Sequence, residues 1–395
     1  MDINNSLFSF IKEHQNADVV QLLLAANRYP DVDVRFAATQ IAARQHIKDK
    51  LPLWYDNDRL LFPSLLAVEQ CSSELTALYK SDLLDGEKFI CDLTGGLGVD
   101  TYFFSQRTDN VLYVENDKPC FNTAMYNFGI LQATNIEGHC GCAYSFIKQM
   151  PKTNMLYIDP SRRSNYRKRL FSLKDCCPNI TVLLPQMLLL APKIIAKLSP
   201  MLDLKHTLEL LPETAEIHVI AVKNECKELL FVIKRGAAPD NPTIYCVNFI
   251  SEMDRQVFVF GINDERQAQC EVNSRILSYI YEPNVAILKA GGFKLIAQQY
   301  GVAKLHINSH LYTSDEILPA FPGRIFRVER VYRFNTATCR QIRKDIPKAN
   351  LTARNFPLTV NDLRHRISVL EGGDDYIFAT TTDADGKILI HCRKI

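Results

Sequence analysis

The run Phe89-Ile-Cys-Asp92-Leu-Thr94-Gly95-Gly96-Leu-Gly98-Val-Asp100 joins an apolar stretch, an acid and a glycine-rich turn. Glycines let the main chain turn tightly and lie against a ligand, because no Cβ blocks the approach. A helix beginning at Thr101-Tyr-Phe-Phe104 adds free N–H groups and partial positive charge behind the turn. This pattern describes a nucleotide-type pocket at the carboxyl end of the first strand of an open α/β sheet. It comes within one residue of the dinucleotide fingerprint, whose third glycine is here Thr101, so the kind of nucleotide stays open. Val111-Leu-Tyr-Val114 reads as a second strand, closed by Glu115-Asn116-Asp117. Glu115 follows Asp92 by 23 residues, the length of one helix and one strand, and an acid there accepts hydrogen bonds from ribose hydroxyls.

Asn154-Met-Leu-Tyr-Ile-Asp159-Pro160-Ser161-Arg162 is a further strand-like run ending in an acid. A hydride-transfer enzyme has no particular need of its Asp-Pro corner, whereas methyl transfer uses this place to hold the receiving atom. Here the chain resembles the class I S-adenosylmethionine-dependent methyltransferases. Asp92, Gly95, Gly96 and Gly98, with Thr94 among them, match the first motif. Glu115, followed by Asn116, matches the ribose-binding acid, and Asp159-Pro160-Ser161-Arg162 the catalytic loop. The resemblance implies S-adenosyl-L-methionine as cofactor. The glycine turn is then an amino-acid and ribose cradle with no pyrophosphate to hold, which accounts for Thr101 in place of the third glycine. Members often carry an acid after the third strand, near the adenine. This chain has Cys142 there, followed by Ala143, which leaves adenine to be read by backbone amides. Gln70 and Ser73 precede the first strand, where class I enzymes often touch the methionine end of the cofactor.

Methyl transfer from a sulfonium needs a nucleophile in line with the methyl group, and positioning supplies much of the acceleration. For an exocyclic amine, Asp159 and the Pro160 carbonyl can accept the amine protons. The aromatic residue that would stack on a base is missing, and Ser161-Arg162 follows instead. An arginine plane can stack on a base or pair with a phosphate. A pyrimidine carbon acceptor needs a cysteine nucleophile. None lies in the Asp159–Arg163 loop. Cys176 and Cys177 follow Asp159 by 17 and 18 residues and approach it only if the chain folds back. Transfer to a base nitrogen or oxygen is therefore expected ahead of carbon, although uracil-carbon methyltransferases share the Asp-Pro-x-Arg pattern. Tyr157 reads as core.

Three parts must position these residues. Residues 1–80 read as a helical region, with apolar positions at helical spacing in Val19, Val20, Leu22, Leu23 and Leu24. Residues 81–240 alternate strand and helix patterns, as a Rossmann-like doubly wound methyltransferase sheet requires. Later strands are expected at Lys193–Leu198, Ile217–Val222 and Leu229–Ile233, and a linker at Gly236–Pro242. Residues 241–395 read as an α+β region. Within it, about 320–395 resembles the THUMP-like domain of a branch of methyltransferases, which implies an RNA partner, tRNA or rRNA.

With 395 residues, 47% hydrophobic and 23% charged, the chain is an ordinary folded protein of two or three domains. A net charge of +2 means that any basic surface is local. Candidate clusters are Arg162-Arg163 with Arg167-Lys168-Arg169, and Arg324, Arg327, Arg330 and Arg333 at a spacing of three. The twelve cysteines include no Cys-x-x-Cys pair, and His139, Cys140 and Cys142 are a weak metal candidate, so no metal is expected. The N-terminus lacks a basic and apolar signal pattern, and Ile180–Leu198 is interrupted by Pro185, Gln186, Pro192, Lys193 and Lys197. A cytoplasmic, reduced protein with no membrane span is expected. Two other readings stand beside RNA methylation: a methyltransferase acting on a small molecule or protein, and a catalytically silent RNA-binding protein that kept the fold.

Overall fold

The computed structural model describes residues 5–162, 172–237, 240–273 and 275–395. Six helices open the chain: α1 (Asn5–Glu13), α2 (Val19–Leu24), α3 (Val34–Ile47), α4 (Pro52–Tyr55), α5 (Leu65–Gln70) and α6 (Glu74–Asp82). Short polar side chains start four of them. Asp18, Asp33, Ser64 and Ser73 accept hydrogen bonds from first-turn N–H groups that lack an intrahelical partner. The expected break near residue 80 is crossed by a shared core. Ile47, Trp54, Phe62, Val68 and Ala77 pack with Leu97, Val99 and Phe103, which lie beyond the first strand.

The strands and helices that follow are β1 (Phe89–Asp92), α7 (Val99–Ser105), β2 (Asn110–Glu115), α8 (Lys118–Ile130), β3 (Ile136–Cys140), α9 (Ala143–Phe146), β4 (Met155–Ile158), β5 (Ser161–Arg162), β6 (Cys176–Cys177), α10 (Ile180–Leu190), β7 (Lys193–Leu198), α11 (Leu204–Leu210), β8 (Thr214–Val222) and β9 (Glu225–Lys234). Strand order runs β9-β7-β4-β1-β2-β3, and β1 pairs parallel with both β2 and β4. β2 with β3 and β4 with β7 are parallel too. Between β1 and β4 the order reverses, and in such sheets ligands bind at the carboxyl ends beside that switch point. Asp92, Glu115 and Asp159 all stand at this rim. The apolar stretch Ile180–Leu198 is a helix followed by a strand, α10 and β7. Among the described residues no helix is long and apolar enough to cross a membrane.

Two compact units emerge, Met1–Ala215 with Leu230–Ala238, and Glu216–Leu229 with Pro239–Ile395. The division falls inside the β8–β9 hairpin, whose turn residues Lys223 and Asn224 both have positive φ.

In the second unit, β10 (Thr243–Phe249) pairs parallel with β8 and antiparallel with β11 (Arg255–Gly261). After α12 (Ile262–Gln267) come β12 (Tyr279–Pro283), α13 (Val285–Ala290), α14 (Leu295–Tyr300), β13 (Ala303–His306), β14 (Ser309–Ser314), β15 (Gly323–Arg333), α15 (Thr336–Asp345), β16 (Asn350–Ala353), α16 (Val360–Ile367), β17 (Asp375–Thr382) and β18 (Gly386–Lys394). They form one seven-stranded sheet, order β13-β14-β12-β15-β18-β17-β16. Cys339, Ile342, Leu363 and Ile367 from α15 and α16 pack on one face against Tyr332, Ile377 and Leu389. Ile280, Leu311, Phe326, Phe378 and Ile390 fill a separate core of the same unit.

The arginines spaced by three do not make one basic face. They lie on β15, where side chains alternate, and a bulge between Val328 and Arg330 shifts the alternation. Arg324 pairs with buried Glu282, Arg327 with Glu329 and Arg333 with Asp385, while Arg330 lies over the Tyr332 ring.

Candidate active site

Asp92 ends β1 and is buried. One oxygen accepts from the Thr94 N–H at 3.0 Å and the other from the Thr101 hydroxyl at 2.7 Å. Burial pushes its carboxyl up to about 7. The bonds from Thr101 and Thr94 oppose that rise, and the neighbouring Asp100 and Asp159 add to it. Thr101, where the dinucleotide fingerprint has glycine, therefore ties the first turn of α7 to β1.

The glycine turn is folded onto its own neighbours. Gly95 donates to the Val114 carbonyl at 2.8 Å, and an added Cβ would stand 2.0 Å from the Tyr113 ring. Gly96 has φ +54 and donates to Glu115 Oε2 at 2.8 Å, and its carbonyl accepts from the Tyr113 hydroxyl. A Cβ on Gly96 would meet nothing nearer than 3.9 Å, so this side of the turn is open. Gly98 precedes α7 as its cap. The second oxygen of Glu115 accepts from the Asp117 N–H at 2.6 Å. A carboxylate has about four acceptor positions, so Glu115 keeps capacity for hydroxyl donors. An open glycine turn beside a half-buried acid fits the sugar end of a nucleoside.

The remaining candidates divide. Asn116 and Cys142 are exposed and Ala143 is buried. Cys142 precedes α9, and its carbonyl accepts from Ser145 and Phe146. Gln70 ends α5, exposed. Ser73 is occupied as the cap of α6, accepting from the Thr76 N–H. Its neighbour Ser72 is buried and bonds Asp100 at 2.8 Å.

Asp159 follows β4, partly exposed. Its N–H donates to the Thr94 hydroxyl at 2.6 Å, and its carboxylate pairs with Lys197 of β7. Behind this pair lies a buried polar group. Lys80 reaches Asp100 at 3.0 Å and Ser72 at 2.8 Å, and the Tyr157 hydroxyl donates to Asp100 at 2.8 Å. Burial favours a protonated Asp100, but Lys80, Lys197 and the Ser72 hydrogen bond outweigh it and hold the carboxyl below its ordinary value. Tyr157 is core in its ring and polar at its tip. Sequence spacing alone assigns Lys80, Lys197, Ser72 and Asp100 no part in this group. The available signal was a lysine inside each of two otherwise buried segments and an acid directly after the glycine turn.

The chain does fold back after Asp159. Ser161 pairs with Cys177 and Arg162 with Cys176 across the antiparallel β5–β6 ladder. Ser161 and Cys177 are exposed, Pro160 is half-buried, and the Asn179 N–H donates to the Tyr144 hydroxyl at 2.6 Å. The Arg162 side chain and the basic cluster Arg163, Arg167, Lys168 and Arg169 lie outside the described residues. Among the described residues no three His, Cys, Asp or Glu side chains group to hold a metal ion, and the His139 ring packs on Phe146.

A solved structure from Porphyromonas gingivalis W83, assigned as a methyltransferase, is 33% identical over 98% of this chain and 97% of that one, with TM-score 0.88. The chain belongs to the class I S-adenosylmethionine-dependent methyltransferase family, with a THUMP-like C-terminal domain. Family models match a ferredoxin-like domain at residues 279–322 and a THUMP domain-like region at 323–394, against the expected 320–395. An rRNA methylase from Streptococcus thermophilus and a Streptococcus mutans protein assigned as a methyltransferase, solved with SAH, each align over 41% of this chain. Those alignments cover 94% and 96% of the two proteins' own chains, with 13% and 14% identity and TM-scores of 0.30 and 0.32. No curated protein matches the sequence.

Proposed function

We propose that the protein transfers the methyl group of S-adenosylmethionine to a base of tRNA or rRNA. The observation that carries this reading is the place of Asp159-Pro160: at the carboxyl end of β4, across the switch point from the Asp92 glycine turn and Glu115. S-adenosylmethionine, when bound, supplies an electrophilic methyl group on sulfur. Glu115 would accept from the ribose hydroxyls, the turn Thr94–Gly98 would pass beneath the sugar, and main-chain groups at Cys142–Ala143 would face the adenine. Asp159 and the Pro160 carbonyl would hold the acceptor group and take up its hydrogen bonds.

RNA as acceptor is supported by the THUMP-like match and by charge. Residues 323–394 hold fourteen Lys and Arg against eight Asp and Glu, a net +6, while the rest of the chain carries −4 of the total +2. Such an asymmetry favours a phosphate backbone. Titration calorimetry with S-adenosylmethionine and a methyl-transfer assay on RNA test the proposal together. Wild type should bind and transfer. Asp159→Ala should keep cofactor affinity and lose at least about 10²-fold in turnover. Full activity in Asp159→Ala would overturn the assignment of this loop.

The β5–β6 ladder favours a second reading. It brings exposed Cys177 beside Ser161, meeting the condition for a cysteine nucleophile and a pyrimidine carbon acceptor. A carbon-methylated pyrimidine as product, lost in Cys177→Ala, would decide for it.

A further inference from the structure

We infer that Lys197 is a positioning residue for Asp159, holding one carboxylate oxygen so that the other faces the acceptor; the inference rests on the proposed methyl transfer. Lys197 stands on β7 one residue beyond Ala196, the register partner of Ile158, which brings its ammonium to the residue that follows β4. Its side chain is 13% exposed and that of Asp159 33%, so the lysine lies deeper and the carboxylate nearer the rim.

Asp159 is fixed twice. Its N–H is held by the Thr94 hydroxyl, inside the glycine turn, and its Oδ2 by Lys197. Oδ1 takes no hydrogen bond among the described residues. A carboxylate held at one oxygen presents the other in a single direction, and a misplacement of about 1 Å in such a group can cost 10²-fold in rate. The lysine is itself held. It lies 3.4 Å from the Ser72 hydroxyl, which bonds both Asp100 and Lys80. Among the described residues, the charged groups facing this cluster include Asp92 from β1, Asp100 from α7, Lys80 from α6 and Lys197 from β7, beside Asp159 itself.

The step it serves balances simply. The acceptor atom forms a bond to the methyl carbon as the carbon–sulfur bond breaks. The sulfur leaves with that electron pair as a neutral thioether, and the acceptor's proton departs by way of the Asp159 carboxylate to solvent. Lys197 keeps its protons throughout and exchanges none with the acceptor.

The test compares wild type, Lys197→Met and Lys197→Arg on RNA, with thermal melts as a check on folding. Lys197→Met should lower kcat about 10²-fold. Its S-adenosylmethionine affinity by titration calorimetry and its KM for RNA should stay within about threefold of wild type, and Lys197→Arg should recover most of the loss. An unchanged kcat in a folded Lys197→Met, or an equal loss in Lys197→Arg with weakened cofactor binding, would overturn the inference while leaving the methyltransferase reading intact. A wild type that transfers no methyl group overturns both.

Discussion

Two acids carry contrasting expectations. Glu115 already accepts two main-chain N–H groups, so Glu115→Ala should loosen the Gly96 turn and remove the acceptor proposed for the sugar. Hydrogen bonds to charged groups contribute about 1.5–3 kcal/mol, so S-adenosylmethionine affinity should fall roughly ten- to a hundredfold by calorimetry. An unchanged affinity would remove Glu115 from the cofactor site. For Asp92, burial raises the carboxyl to about 7, against about 4 in an unfolded chain. Between those values the folded state holds a proton that the unfolded state has released. Its stabilising contribution is therefore full below about pH 4 and lost as pH rises through 7. Asp92→Asn removes this dependence, so the Tm difference, variant minus wild type, should become more positive from pH 5 to pH 8. A pH-independent difference would contradict a raised value. Asp92, Glu115 and Asp159 were legible in sequence because each closes an apolar strand run. Lys197 and Ser72 were not, since what matters for them is which neighbour they meet across the sheet, and spacing along the chain does not carry that. Ser73, one of the expected cofactor contacts, caps a helix with its hydroxyl, and Ser72 one position away is turned inward.

At the level of elements, the glycine turn is shaped as much by Tyr113 as by any ligand. Gly95→Ala would place a Cβ 2.0 Å from that ring. Overpacking typically costs 1–3 kcal/mol, and a buried ring bonded to the Gly96 carbonyl cannot step aside cheaply, so about 3 kcal/mol of lost stability is expected by denaturant unfolding. Tyr113→Leu should relieve part of that loss in the double variant. Strict additivity would show that the clash is not what constrains Gly95. β1, β2 and β4 are readable from apolar runs ending in acids, and β7, β8 and β9 lie where strand patterns place them. The β5–β6 ladder was not readable. Its strands are two residues each and are joined by a segment whose basic residues carry no periodic signal. A spacing of three does not match a strand's alternation of two, and the bulge on β15 shifts that alternation again, so the four arginines do not share a face.

For the whole molecule, the N-terminal helices share a hydrophobic core with the parallel sheet's first crossover, where Trp54 and Phe62 pack with Leu97 and Phe103. Side chains of one core drawn from distant segments do not appear as a composition change. The ferredoxin-like and THUMP-like matches likewise share one sheet, since β12 pairs with β15, and buried Glu282 bonds Arg324 and Arg354 across the boundary at residue 323. Glu282→Gln should cost about 2–3 kcal/mol and lower Tm without changing S-adenosylmethionine affinity, as read by melting and calorimetry side by side. A cut at residue 323 would strip β12 of that partner strand, so point variants serve better than truncation. The central claim, methyl transfer to an RNA base, is tested most directly by mass spectrometry of nucleosides in RNA from cells with and without this gene. The expected result is one methylated nucleoside absent from the deletion, restored by wild type and not by Asp159→Ala. Identical nucleoside profiles with and without the gene would contradict it.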